Sequence, residues 1–331
     1  MIFEDVRGQD HAIGILRRAL GRGRLAHAWI FAGPGGVGKR STARALTSAL
    51  LCRQAPGEGC GSCEDCHLVA TGAHPDLVVE DLARAREDRS TATRVSIEQI
   101  RRARSQLAMH AVRGKRKVGL VDQAELLTID AQNALLKTLE EPPGETTLVL
   151  ICTSPDALLS TIRSRCQCLR FAPLETPLVE ELLKAEGVEP PTAATAAALA
   201  DGSLDRARSL TDEEGLAWAE ELRTRLDAIA RTPVPQLLDL AAELSGPRGE
   251  KGRARQELNR TTVLTWCRER LLAEAGDQPA PNTEEAAQWI TSIEKTLRRS
   301  EQAYATVREL DRNANTNLAW DRLILGLRAA R

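Results

Sequence analysis

Ala28-Trp29-Ile30-Phe31-Ala32 runs directly into Gly33-Pro34-Gly35-Gly36-Val37-Gly38-Lys39-Arg40. Five apolar residues, a glycine-rich turn and a helical pattern over 42–51 match a buried parallel strand feeding a phosphate-binding loop. In the pattern G-x-x-x-x-G-K-[ST], backbone N–H groups wrap a polyphosphate, the lysine reaches its outer phosphates and the final hydroxyl ligates Mg²⁺. The chain supplies Gly33, Gly35, Gly36, Val37, Gly38 and Lys39, then places Arg40 where the hydroxyl belongs. A guanidinium has no acceptor for a cation, and its charge repels one. Ser41 is no substitute, because one residue along a helix turns the side chain by about 100°. A glycine-rich turn without a ligand stays open as the plainer alternative.

Apolar runs at 118–122, 147–153 and 168–171 read as further strands. Helical patterns lie between them at 96–109 and 129–141, the latter stopped by Pro142-Pro143. Strands alternating with helices predict an α/β fold, a parallel sheet flanked by helices with ligands at the carboxyl ends of its strands. Asp122 falls at such an end and suits the acid that a nucleotide hydrolase uses for Mg²⁺, although an acid capping the next turn is the plainer reading. The next residue is Gln123, where a hydrolytic ATPase of this type carries glutamate, and an amide cannot take a proton from water. Losses at Arg40 and Gln123 together predict binding without turnover.

After about residue 171 the strand signal ends. Residues 173–177 read as a linker and 178–210 as a small helical unit broken at 187–191. Residues 211–331 read as a helical bundle with short breaks at 245–247 and 276–279. At 331 residues the chain is too long for one ordinary core, so two or three domains are expected. A formal net charge of −1 excludes a global field that would draw the protein to nucleic acid or to a membrane. No run approaches the roughly 18 apolar residues of a membrane span and Met1-Ile2-Phe3-Glu4-Asp5 is no signal peptide, so cytoplasm is the default compartment.

Four of the eight cysteines cluster as Cys52, Cys60, Cys63 and Cys66, among Gly57, Gly59 and Gly61. In a chain without an export signal this spacing predicts a Zn²⁺ knuckle, and four thiolates leave no open position for catalysis. The adjoining His67 is a rival ligand on spacing alone, with a solvated or capping role the plainer reading. Cys152, Cys166, Cys168 and Cys267 read as buried small hydrophobes. Arg165, in Ser164-Arg165-Cys166, and Arg206, in Gly202-Ser203-Leu204-Asp205-Arg206-Ala207, are each ordinary charges when taken alone. An arginine at the rim of a nucleotide fold can also reach a neighbour's γ-phosphate in trans. The basic run Arg113-Gly114-Lys115-Arg116-Lys117 reads as a solvated turn, with DNA phosphate contact as the alternative.

In this order, these pieces resemble the AAA+ subunits of bacterial DNA polymerase III clamp loaders. The residues that carry the resemblance are Gly33 to Lys39, the four-cysteine knuckle after the loop's helix and His74-Pro75-Asp76. With them go Asn133-Ala134-Leu135-Leu136-Lys137-Thr138-Leu139-Glu140-Glu141-Pro142-Pro143 and Ser164-Arg165-Cys166, so that the likeness covers roughly residues 1–210.

The resemblance implies a RecA-like AAA+ domain over 1–173 with a zinc module at 52–66, a helical lid over 174–212 and a helical collar over 213–331. It implies structural Zn²⁺, and ATP or ADP as the loop's ligand, while Arg40 counts against Mg²⁺. The implied partners are the tau/gamma and delta subunits in a hetero-pentameric ring, with the sliding clamp and primed DNA reached through the complex and no membrane. Arg165 matches the family's arginine finger, which acts on ATP held by a neighbouring motor subunit. Arg206 is similar to its nucleotide-sensing lid arginine, and Thr153 to its strand-end polar sensor. Motor subunits carry Lys-Thr or Lys-Ser in the loop and Asp-Glu on the acid strand. Arg40 and Gln123 depart from that, as expected of a rigid stator that is neither a competent ATPase nor the polymerase. An active motor, which Lys39 and Asp122 would permit, and a zinc-dependent nucleic-acid module stay open as alternatives; near-neutral charge counts against the second.

Overall fold

The computed structural model describes residues 1–88, 92–211, 213–246, 250–276, 284–311 and 316–329. Contacts divide the chain into two compact units, Met1–Glu175 and Thr176–Arg331. Residue 212, at the expected lid–collar boundary, and residues 247 and 277–279, in the expected helix breaks, lie outside the described residues.

The first unit is built on five parallel strands: β1 (Ala28–Ala32), β2 (Leu77–Glu80), β3 (Arg116–Val121), β4 (Glu145–Cys152) and β5 (Gln167–Arg170). Their order across the sheet is β2-β3-β4-β1-β5. Every residue of β1 is buried, as a central strand covered on both faces requires. Side chains alternate faces along a strand. Trp29 and Phe31 therefore enter one core with Phe3, Leu16 and Leu46, while Ala28 and Ile30 enter the other with Ile100, Leu127 and Leu135. The expected α/β class and four of the strands are present. The edge strand β2 is an addition: its four residues are too few to show a period, and it follows directly on His74-Pro75-Asp76.

The helices of this unit are α1 (Asp10–Gly21), α2 (Lys39–Leu51), α3 (Glu64–Thr71), α4 (Leu82–Asp88), α5 (Ile97–Ala108), α6 (Ile129–Glu140) and the single turn α7 (Ser160–Arg163). Thr128 caps α6 by accepting from the Ala131 N–H at 3.2 Å, and Pro142-Pro143 follows the helix end. Gln9, buried just before α1, donates through Nε2 to the carbonyls of Val37 (3.0 Å) and Ala172 (2.8 Å). One amide thus fastens the phosphate loop to the segment that leaves β5.

Gly33 is fixed by space as well as by conformation. Its N–H donates to the Cys152 carbonyl at 3.3 Å, and its φ of 156° lies at the margin of the region that glycine favours. A Cβ there would overlap the Phe171 carbonyl oxygen and lie 3.0 Å from the Phe171 Cβ. Gly33→Ala is therefore expected to cost about 1–3 kcal/mol, the scale of overpacking a dense interior. A thermal melt checks this, with a fall of about 2–4 °C per kcal/mol for a unit of this size.

The second unit is wholly helical among the described residues. It begins with α8 (Thr176–Ala185), α9 (Pro190–Leu199) and α10 (Leu204–Ser209), packed through Val179, Leu183, Ala193, Ala196 and Ala197. The expected linker over 173–177 is shorter than the sequence pattern suggests, because α8 already starts at Thr176. There follow α11 (Glu213–Asp227), α12 (Val234–Ser245), α13 (Glu250–Gly276), α14 (Glu284–Asp311) and α15 (Thr316–Ala329). Two of the bundle's tryptophans find partners for their indole N–H groups: Trp218 donates to Asn259 Oδ1 at 2.7 Å and Trp266 to Asp227 Oδ1 at 2.9 Å. No helix among the described residues is long and apolar enough to cross a membrane.

Candidate functional site

Parallel pairing brings the carboxyl ends of β1, β3 and β4 to one edge of the sheet, and with them the loop 33–39, Asp122 and Thr153. Gly38 takes φ 98° at the N-cap of α2, a left-handed turn that glycine permits and that starts the helix at Lys39. Lys39 is buried, and its ammonium donates to the Gly33 carbonyl at 2.6 Å and to that of Pro34. The loop therefore has the backbone turn and the lysine of a phosphate cradle. The Val37 side chain is not part of it, being fully buried in the core.

Arg40 does more than leave out a hydroxyl. Its Nε and Nη2 both engage Asp122 Oδ2, and Nη2 lies 3.7 Å from Asp81 Oδ2. The carboxylate expected to hold Mg²⁺ is thus occupied by a permanent cation from the protein itself. Asp81 escapes notice in the sequence because β2, which positions it, does. Glu125 is a second acid not foreseen. Its Oε1 accepts from the Thr153 N–H at 3.3 Å, and its Oε2 is buried without a hydrogen-bond partner. Burial holds its carboxyl above the usual range, against the pull of nearby Lys39. The exposed Gln123 adopts a left-handed φ of 52°, a turn unusual for a side chain of this type.

Arg165 lies just beyond α7, more than a third exposed. Its guanidinium donates to the Thr161 carbonyl at 3.0 Å and pairs with Glu140 at 2.8 Å, at the end of α6. Arg206 belongs to the second unit, where its Nη1 donates to the Ala200 carbonyl at 3.1 Å and its N–H is capped by Ser203.

The four cysteines converge. Their Sγ atoms all lie within 4.8 Å of one another, with Cys52 at 3.7 Å from both Cys60 and Cys63, and Cys60 at 4.0 Å from Cys66. A tetrahedral ion with Zn–S bonds of about 2.3 Å requires sulfur separations of about 3.8 Å. The thiols therefore fit Zn²⁺, and backbone N–H groups already point at them: Ala55 at Cys52 and Cys63 at Cys60, each at 3.3 Å. N–H donors of Ser62 and Cys63 lower the Cys60 thiol to about 6. His67, exposed on α3, is outside the cluster.

Arg53 and Arg113 pair with Asp65 at 2.8 and 2.9 Å, beside Cys66, and Arg113 also pairs with Glu64. Fully buried Asp76 accepts from the N–H groups of Val112 (2.6 Å) and Arg113 (2.8 Å). The solvated turn expected over 113–117 is present at Gly114, Lys115 and Arg116, which are exposed, while Arg113 and Lys117 turn inward. Arg113 holds the knuckle, Arg116 pairs with Glu145 at 3.0 Å, and Lys117 is buried on the Gln106 carbonyl at 2.7 Å. Internal groups thus take two of the run's four positive charges, Arg113 and Lys117.

A lysine-bearing loop after β1 and an acid after β3, on a five-stranded parallel sheet, define a phosphate-loop AAA+ module. The family model described as DNA polymerase III, delta subunit, matches residues 8–175. The chain belongs to that family. The tau subunit of Escherichia coli DNA polymerase III is 33% identical over 258 residues, which is 74% of this chain and 39% of that relative. The delta' subunit of Pseudomonas aeruginosa is 42% identical over 147 residues, 44% of this chain and 43% of that relative. Less than half the length of each of these relatives is spanned. A DNA polymerase III gamma subunit-related protein of Thermotoga maritima aligns over 96% of this chain and 99% of its own, at 16% identity and a TM-score of 0.44.

Proposed function

We propose that this chain is the non-hydrolysing, delta-prime-type stator of a DNA polymerase III clamp loader, which helps place the sliding clamp on primed DNA. The observation that carries the reading is Arg40 on Asp122: the acid a motor uses for Mg²⁺ is neutralised from within, and Gln123 supplies no base. In this reading residues 1–173 are the AAA+ domain, 174–212 the lid and 213–331 the collar, which gathers tau/gamma and delta subunits into a cytoplasmic pentameric ring. Cys52, Cys60, Cys63 and Cys66 hold a structural Zn²⁺ that keeps the knuckle folded. Arg165 serves the ATP of a neighbouring motor subunit. Thr153 serves as the strand-end polar sensor, and Arg206 as the nucleotide-sensing arginine of the lid.

The purified full chain is expected to show no Mg²⁺-dependent ATP hydrolysis. Appreciable turnover would overturn the stator reading in favour of a motor, the reading that the long alignment with tau favours. A zinc-dependent nucleic-acid module finds little support, since Arg113 and Lys117 are engaged inside the protein and Arg116 is paired with Glu145.

A further inference from the structure

The residues at the mouth of the loop do not fit a divalent cation. We infer that Arg40 takes the place and the charge of that cation, so that this loop binds a nucleoside diphosphate without metal. The inference rests on the loop being non-hydrolytic.

β2 and β3 pair in register through Glu80 and Val121, so the next residues, Asp81 and Asp122, leave the sheet side by side. Both side chains are largely buried, at 20% and 12% exposure. Two neighbouring carboxylates in such a place need a cation between them. The first turn of α2 delivers one: the Arg40 guanidinium bonds Asp122 and lies 3.7 Å from Asp81. A guanidinium stays charged throughout the accessible pH range and has no lone pair for a metal. A divalent ion would have to expel it and then lie close to it.

The charges then sort themselves. Arg40 balances the acid edge, and Lys39, whose ammonium lies over the Gly33 and Pro34 carbonyls, remains as the cation of the loop. One ammonium with a loop of backbone N–H groups matches a diphosphate. Arg40 is committed to Asp122 and Asp81, so neither it nor a metal is available to offset the further charge of a triphosphate.

The test is equilibrium binding of a fluorescent ADP analogue by the full chain, in excess Mg²⁺ and in EDTA, for wild type, Arg40→Ser and Arg40→Gln. Circular dichroism establishes that each variant is folded, and the glutamine keeps most of the arginine's length. Wild type is expected to bind equally in both conditions. The variants are expected to bind about tenfold or more tightly with Mg²⁺ than without it. Binding by wild type that Mg²⁺ strengthens tenfold, no ADP binding in either condition, or folded variants indifferent to Mg²⁺ would each overturn the inference. None of these outcomes bears on the stator reading, which fails separately if the lone chain hydrolyses ATP.

Discussion

Arg165→Ala is expected to lower ATP hydrolysis by the reconstituted clamp loader by roughly 10³-fold, the low end of the range for arginine fingers supplied in trans. The same change should leave this chain's own stability almost untouched. Arg165 is 37% exposed, and its ion pair with Glu140 is half-solvated. Pairs of that kind contribute at most about 1 kcal/mol. A thermal melt of the variant alone, beside turnover by the complete ring, separates chemistry from folding. Arg165→Lys should restore little, because an ammonium cannot reproduce the planar fork that spreads over a transferring phosphoryl group. If both variants leave the ring's rate unchanged, Arg165 has no trans role and serves only its contacts within the chain, with Thr161 and Glu140.

Removing the metal from the knuckle should produce the second large effect. Elemental analysis is expected to find close to one zinc per chain, and Cys63→Ser to lose most of it. Structural zinc contributes apparent binding energies of about 10–16 kcal/mol in isolated finger peptides. Here the knuckle is only part of a larger unit. The loss should therefore appear as local opening, with the core around Trp29 and Phe31 retained. The predicted path runs from Cys66 to its neighbour Asp65, through Arg113, to the backbone that Asp76 holds at Val112 and Arg113. Hydrogen exchange after chelation should quicken in α3 and at Val112 and Arg113, while β1 stays protected. Unchanged exchange in α3 would show that the thiols hold their arrangement without an ion.

Much of this architecture is legible in the chain itself, for reasons that differ by element. β1 reads clearly because a strand buried on both faces must be apolar throughout. α6 reads clearly because Pro142-Pro143 ends it without ambiguity. The knuckle reads clearly because metal geometry constrains spacing. The four-residue β2 carries no such signature, and with it Asp81 is missed. Glu125 and Glu140 are also invisible as partners, since their significance comes from Thr153, 28 positions away, and from Arg165. The sequence exposes Arg40 as the wrong residue for magnesium; only the packing of β2 against β3 reveals what it touches. Within 113–117 the exposed Lys115 and Arg116 fit a solvated turn while Arg113 and Lys117 turn inward, and charge density by itself does not tell a surface from an internal tether.

Gly33 bears on how such a loop changes over time. The residue is held in place by the Phe171 carbonyl and by the segment leaving β5, contacts that exist whether or not a phosphate is ever bound. Selection for a folded protein alone would therefore retain the first glycine of the motif long after selection for catalysis had ceased. Arg40, half exposed and free of steric demands of that kind, is where a lineage could discard hydrolysis in one substitution and keep everything else. In a protein of this construction a preserved glycine records the fold, and the residue after the lysine records the chemistry.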